Sequence, residues 1–155
     1  MDRVERAGEA FLEGYNCAQS MAVAFADLMG MDEKTAARMA SSFGGGMGRM
    51  REVCGAVSGM LMVVGILYGY DDPKDPDAKL RHYTLVQELA GKFREQVGSI
   101  VCREILKNPP SDPAPTPRTA EFYKKRPCVR MLYTAARILD DYIQSNPPRI
   151  PLEGA

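Results

Sequence analysis

The sequence has few of the residues from which common metal and cofactor sites are built. It contains one histidine and no tryptophan. The motif C-x-x-C is absent, which argues against a zinc ribbon or a thioredoxin-type site. With one histidine and no C-x-x-C-H, the chain cannot itself hold a bis-histidine or c-type haem. Any site made from its cysteines must therefore be assembled by the fold.

Excess charge of either sign is also absent. Lys+Arg and Asp+Glu number 20 each, so the net charge indicates neither nucleic acid nor a membrane surface as a partner. The N-terminal sequence lacks the basic-then-apolar order of a signal peptide, so we expect a cytoplasmic protein with reduced thiols. The 155 residues suit one domain, over residues 1–146, followed by a tail at 147–155.

The sequence also has no run in which apolar and polar residues alternate between turn signals, so it predicts no β-strands. Its helical patterns predict an all-α bundle of about six or seven helices around a buried central helix. Five prolines fall within residues 108–118, and this segment is predicted to be an extended surface connection. Helices are predicted over residues 3–13, 17–29, 33–43, 53–70, 76–96 and 100–106, and from residue 128 onward.

The central element is the uncharged segment at residues 53–70, which follows a glycine-rich loop. A helix that is apolar on every side must be surrounded by protein. The segment is near the lower length limit of a membrane span, and it pairs Gly55 with Gly59 at the spacing used by membrane helices. No second such segment exists and the other helices are amphipathic, so we interpret it as a buried helix that its neighbours approach closely.

The chain has four cysteines, each on the apolar face of a different predicted segment: Cys17, Cys54, Cys102 and Cys128. Taken singly, a buried cysteine is a small hydrophobe. Three of the four lie at a predicted helix start, and this shared placement favours a functional interpretation. At the start of the central helix, free N–H groups and the helix dipole should favour the thiolate of Cys54.

Four stretches of the chain, residues 14–19, 44–59, 98–104 and Cys128, resemble a family of redox-active proteins labelled by the pattern C, GCAxxG, C, C. One motif departs from that label, since Cys54 precedes Gly55 here. The resemblance implies redox activity or metal binding by the four cysteines, with electron transfer to a redox partner protein.

Two versions of that chemistry remain open. In the first, Cys17, Cys54, Cys102 and Cys128 bind an iron–sulfur cluster or another thiolate-bound metal. In the second, no cofactor is needed, because a catalytic pair such as Cys54 and Cys128 alternates between dithiol and disulfide.

The glycine-rich loop provides an alternative function. Gly45, Gly46, Gly48 and Arg49 are candidate cofactor-binding residues, because bare amides beside arginines can bind an anion. The loop matches neither G-x-G-x-x-G nor a P-loop, and it can instead need its glycines only to pass close to other helices. The alternatives are thus a small-molecule or anion-binding helical module with structural cysteines, or a structural protein that docks a partner. The oligomeric state is not predicted.

Overall fold

The computed structural model describes residues 2–148, so the predicted tail at 147–155 lies almost wholly outside the described residues. The all-helical prediction is confirmed. Within residues 2–148, the β-structure consists of one isolated antiparallel bridge between Val53 and Val101. A 3₁₀ turn, Ser41–Phe43, separates the third and fourth helices. The helices are α1 Arg3–Leu12, α2 Cys17–Ala24, α3 Glu33–Ala40, α4 Gly44–Met47, α5 Gly55–Tyr68, α6 Pro76–Val97, α7 Cys102–Ile105, α8 Ala120–Lys125 and α9 Cys128–Ser145.

The predicted and observed helices differ in several ends and in two additional short helices. Helix α3 ends at Ala40, and α5 and α7 begin at Gly55 and Cys102, because Val53 and Val101, predicted to be helical, pair in the bridge. Helix α2 ends at Ala24, because turn hydrogen bonds such as that from the Ala26 amide to the Val23 carbonyl, at 3.3 Å, replace the helical pattern. The short helices α4 and α8 were not predicted from the sequence. Both lie in segments whose sequence shows no amphipathic repeat, so only their surroundings in the fold determine them.

Helix α5 is the central helix, as the uncharged sequence predicts. It packs against α2, α6 and α9, and Val57, Met60, Val63 and Val64 on it are fully buried. It has 14 residues. Among residues 2–148, no helix combines the length and the apolar character that crossing a membrane requires.

The approach of α5 to α2 depends on two glycines. A Cβ atom at Gly59 would lie 2.8 Å from the Ala18 carbonyl oxygen, and one at Gly55 would lie 3.0 Å from the Cys17 Cβ. The glycine spacing seen in the sequence therefore brings the start of α2 against the start of α5. This contact places Cys17 beside the first turn of the central helix.

The position of α9 is set by its contact with α1. A Cβ atom at Gly8 would lie 2.6 Å from the ring of Tyr133, so the tyrosine packs directly on the backbone of α1. Helix α9 also contacts α2, α5 and α6. Its first residue, Cys128, is thereby held near the starts of α2 and α5.

We expect the Gly59→Ala variant to lower the free energy of unfolding by about 1–3 kcal/mol, because the added methyl group meets the α2 backbone. Gly65 is the matched control, since it lies in the same helix and a Cβ there meets nothing within 4 Å. The Gly65→Ala variant should raise the free energy of unfolding by about 0.5–1 kcal/mol. Urea denaturation followed by circular dichroism measures both. Equal effects of the two changes would contradict the close approach at Gly59.

Candidate functional site

Each of the four cysteines lies at the start of a helix. Cys17, Cys102 and Cys128 are the first residues of α2, α7 and α9, and Cys54 is the N-cap of α5. Their side chains line one cavity of about 440 Å³. The fold thus places four cysteines that are widely separated in the sequence around one cavity.

Cys54 and Cys102 are joined through their backbones. The Cys54 amide donates to the Ile100 carbonyl at 2.7 Å, and the Cys102 amide donates to the Glu52 carbonyl at 2.6 Å. These bonds flank the bridge between Val53 and Val101. The segments that lead into α5 and α7 are therefore held together beside the cavity.

The glycine-rich loop closes a second wall of the cavity, and the candidate cofactor-binding residues Gly45, Gly46, Gly48 and Arg49 all line it. The loop backbone has positive φ at Gly45 and Gly46, with values of 65° and 71°. A Cβ at Gly46 would lie 2.8 Å from the Cys102 Cβ, so a larger residue would force the loop away. Gly46 is therefore required by the close passage of the loop beside Cys102.

The amides of the loop are less available than the sequence suggests. Those of Arg49, Arg51 and Glu52 donate to the carbonyls of the preceding glycines, at 2.9–3.2 Å. Backbone N–H groups that are already bonded contribute little to binding an anion. The groups of this wall that can bind an anion are its arginine side chains, and cofactor binding by Gly45, Gly46, Gly48 and Arg49 stays a prediction.

Cys17 and Cys128 form the direct thiol pair of the site. The Cys17 thiol donates a hydrogen bond to the Cys128 sulfur, which raises the pKa of Cys17 well above its ordinary value. The same bond is the largest influence that lowers the pKa of Cys128 to about 7, and it acts against burial. Arg126, Arg118 and Arg51 add to this lowering through their positive charge. Near neutral pH, Cys128 is therefore about half thiolate while Cys17 holds its proton.

Cys54 behaves differently from the prediction. Burial raises its pKa to about 12, and hydrogen bonds from the amides of Ala56 and Val57 oppose this only in part. The expectation of a thiolate at Cys54 is wrong. Its side chain is only 7 % exposed, and burial raises the pKa by more than the helix N-terminus lowers it. Burial also raises the pKa of Cys102, although Arg51 Nη1, 3.7 Å from its Sγ, acts in the opposite direction.

The sulfurs do not form a ready metal site. Among residues 2–148, no group of three or more histidine, cysteine, aspartate or glutamate side chains is arranged to hold a metal ion. The described residues therefore do not present a preformed ligand set for a metal or cluster. Metal ligation by Cys17, Cys54, Cys102 and Cys128 stays a prediction.

Arginine side chains are the part of the site that the sequence analysis largely missed. Arg49, Arg51, Arg118 and Arg126 all line the cavity. Arg126 lies two residues before Cys128, and a basic residue beside a cysteine is a signal that the sequence offered. Arg118 had no such signal, because it follows the proline-rich segment and reaches the cavity only through the fold.

The proline-rich segment covers the cavity and is fixed to it. Arg49 Nε donates to the Asp112 carbonyl at 2.8 Å, and Arg51 Nε donates to the Pro110 carbonyl at 2.8 Å. Pro113 and Pro115 line the cavity from this side. The predicted surface connection is therefore also a wall of the site, held by the arginines of the glycine-rich loop.

The family comparison agrees with the pattern seen in the sequence. The family described as "Putative redox-active protein (C_GCAxxG_C_C)" matches residues 15–142. This range contains all four cysteines and every arginine that lines the cavity. No curated protein and no solved structure matches the chain.

We expect Cys128 to be alkylated by iodoacetamide with a rate that rises with pH around a midpoint near 7, since only the thiolate reacts. The rate should level off about two pH units above that midpoint. Mass spectrometry of the Cys128 peptide at a series of pH values measures the profile. Cys54 is an internal control, because a pKa of about 12 leaves it protonated over the same range.

The Cys17→Ala variant tests the cause of the lowered pKa. Loss of the donated hydrogen bond should move the midpoint for Cys128 upward, toward the ordinary value of 9.0. The Cys54→Ala variant should leave the midpoint close to that of the unchanged protein. A profile that Cys17→Ala does not move would show that the arginines alone set the pKa.

Proposed function

Because the chain belongs to the C_GCAxxG_C_C family of redox-active proteins, we propose that Cys17 and Cys128 form a dithiol that transfers electrons by becoming a disulfide. The proposal is supported by the interaction of these two thiols, which shifts their pKa values in opposite directions, and by their shared position in the cavity wall. The other thiols are linked to Cys128 only by longer-range charge interactions. No other pair among the four interacts so directly.

The protonation states assign a role to each sulfur. Cys128 attacks, because it lies in the cavity wall as a thiolate at neutral pH. Cys17 resolves, because it holds a proton until a leaving group can take it. An attacking thiol with a pKa near the ambient pH combines thiolate abundance with nucleophilicity.

The exchange balances without a further cofactor. The Cys128 thiolate attacks one sulfur of a substrate disulfide, the substrate S–S bond breaks, and one half of the substrate leaves as a thiolate. That thiolate takes the proton from Cys17, and the Cys17 sulfur then attacks Cys128 Sγ and releases the second half as a thiolate, which takes up a proton from water. Two electrons pass from the protein dithiol to the substrate disulfide, and a dithiol reductant from a redox partner returns them.

In this proposal Cys54 and Cys102 do not take part in the exchange. Both are buried, and burial raises the pKa of each. A pair of Cys54 and Cys128, as the sequence suggested, remains a prediction that the oxidation experiment below tests directly.

We expect mild oxidation of the fully reduced protein to join Cys17 to Cys128 and to leave Cys54 and Cys102 as thiols. Diamide is a suitable oxidant, and the remaining thiols are labelled before digestion without reductant. Mass spectrometry then identifies the linked peptides. Treatment with dithiothreitol should restore all four thiols, because the change is reversible.

Matched serine variants separate this function from its alternatives. Cys17→Ser and Cys128→Ser should each abolish the reversible crosslink, whereas Cys54→Ser and Cys102→Ser should keep it. A crosslink of Cys54 to Cys128 would replace our pair with the other one. Stoichiometric metal in anaerobically purified protein, lost in all four variants, would contradict the dithiol proposal and support the metal centre.

A further inference from the structure

Arg51 is a buried cation with an unused hydrogen-bond donor. The residue is 4 % exposed. Its Nε donates to the Pro110 carbonyl, and its Nη1 lies against Cys102 Sγ. Its Nη2 is buried and has no hydrogen-bond partner among the described residues. Leaving such a donor unpaired costs about 1–3 kcal/mol, and more when the group is charged.

The cavity wall that contains Arg51 carries positive charge without an acidic side chain. None of the residues that line the cavity is aspartate or glutamate. Within residues 2–148, the ion pairs do not include Arg49, Arg51, Arg118 or Arg126. Four guanidinium groups therefore face one cavity whose protein anion is the Cys128 thiolate.

The arginines are held in place by neutral groups. Arg49 Nη1 donates to Thr116 Oγ1 at 2.9 Å. Arg118 donates to two backbone carbonyls, and its guanidinium lies 4.3 Å from the centre of the Phe11 ring. Arg126 lies 5.2 Å from the centre of the Phe122 ring. Neutral partners orient these groups and leave their charge available to a ligand.

Repulsion among the arginines supports the same interpretation. The pKa of Arg49 is lowered, first by burial and then by the positive charge of Arg51, with a contribution from Arg126, although the Asp112 carboxylate acts in the opposite direction. An anion placed between these groups would remove the repulsion and supply an acceptor for Arg51 Nη2.

We propose that the substrate of Cys128 is a small disulfide that carries an oxyanion group, such as a carboxylate or phosphate, and that Arg51 and Arg126 bind this group. The inference rests on the proposed exchange at Cys128. The cavity, at about 440 Å³, has the volume of a small-molecule site. The exchange forms the bond from Cys128 to the substrate sulfur and breaks the substrate S–S bond, while the oxyanion stays bound and keeps that sulfur in line.

Two alkylating reagents of similar size test the proposal, since iodoacetate carries a carboxylate and iodoacetamide does not. We expect the ratio of the iodoacetate rate to the iodoacetamide rate at Cys128 to exceed the ratio for free cysteine by roughly tenfold. Inorganic phosphate should reduce the iodoacetate rate in a saturable manner, and it should affect the iodoacetamide rate less. Peptide mass spectrometry at pH 7 gives both rates.

Arginine variants identify the groups that bind the carboxylate. Arg126→Gln should lower the rate ratio severalfold, and Arg51→Gln should do the same if circular dichroism shows that it folds. Arg137→Gln is the matched control, because it removes the same charge from an exposed position on α9 and should leave the ratio unchanged. Any change in the pKa of Cys128 affects both reagents equally and cancels in the ratio.

The outcomes separate this inference from the proposed function. Slow reaction with both reagents at pH 7 would show that Cys128 is not a reactive thiolate, and it would overturn the proposed exchange. Fast reaction with a ratio equal to that of free cysteine would overturn the oxyanion site alone. An equal loss of ratio in Arg126→Gln and Arg137→Gln would assign the effect to overall charge, which also overturns the site.

Discussion

The contact between α2 and α5 is the constraint on which the rest of the site depends. Gly55 and Gly59 contribute no side chain of their own to this contact, so the Cys17 Cβ lies against the start of α5. This contact fixes the starts of α2 and α5 relative to each other. The packing of α9 on α1, α2 and α5 then holds the start of α9. A wider spacing of α2 and α5 would separate Cys17 from the start of α5 and from Cys54. Packing density therefore determines which thiols can meet.

The four thiols show that a helix start does not by itself activate a cysteine. All four lie at such a start, yet only Cys128 has a lowered pKa. Burial removes water from every sulfur and favours the neutral thiol. At Cys128 a donated hydrogen bond and nearby arginines outweigh that penalty, whereas at Cys54 two amide bonds do not. The difference among the thiols thus comes from their tertiary neighbours.

The parts of the fold that could be predicted from sequence are those fixed by near neighbours along the chain. Asn16 and Gln19, three residues apart as a capping box requires, cap the start of α2, and the uncharged segment forms the predicted central helix. The pairing of Cys17 with Cys128 could not be predicted, because it depends on how three helices pack. The same holds for Arg118, since it reaches the site from beyond the proline-rich segment. Local hydrogen bonds leave a signature in a single sequence, and long-range packing does not.

The backbone of the glycine-rich loop gives a further reason to regard the arginines as part of the site. Arg49 and Arg51 both have positive φ, at 67° and 62°, which costs a non-glycine residue about 1–3 kcal/mol. Glycine at these positions would avoid that cost, and the loop already contains several glycines. The strain is maintained by the bonds from Arg49 and Arg51 to the proline-rich segment and by the packing of Gly46 on Cys102. A strained backbone that directs two cations toward one cavity is difficult to explain by stability alone, since removing the side chains would relieve both the strain and the repulsion. The loop, the proline-rich segment and the thiols are therefore best understood as one interdependent site.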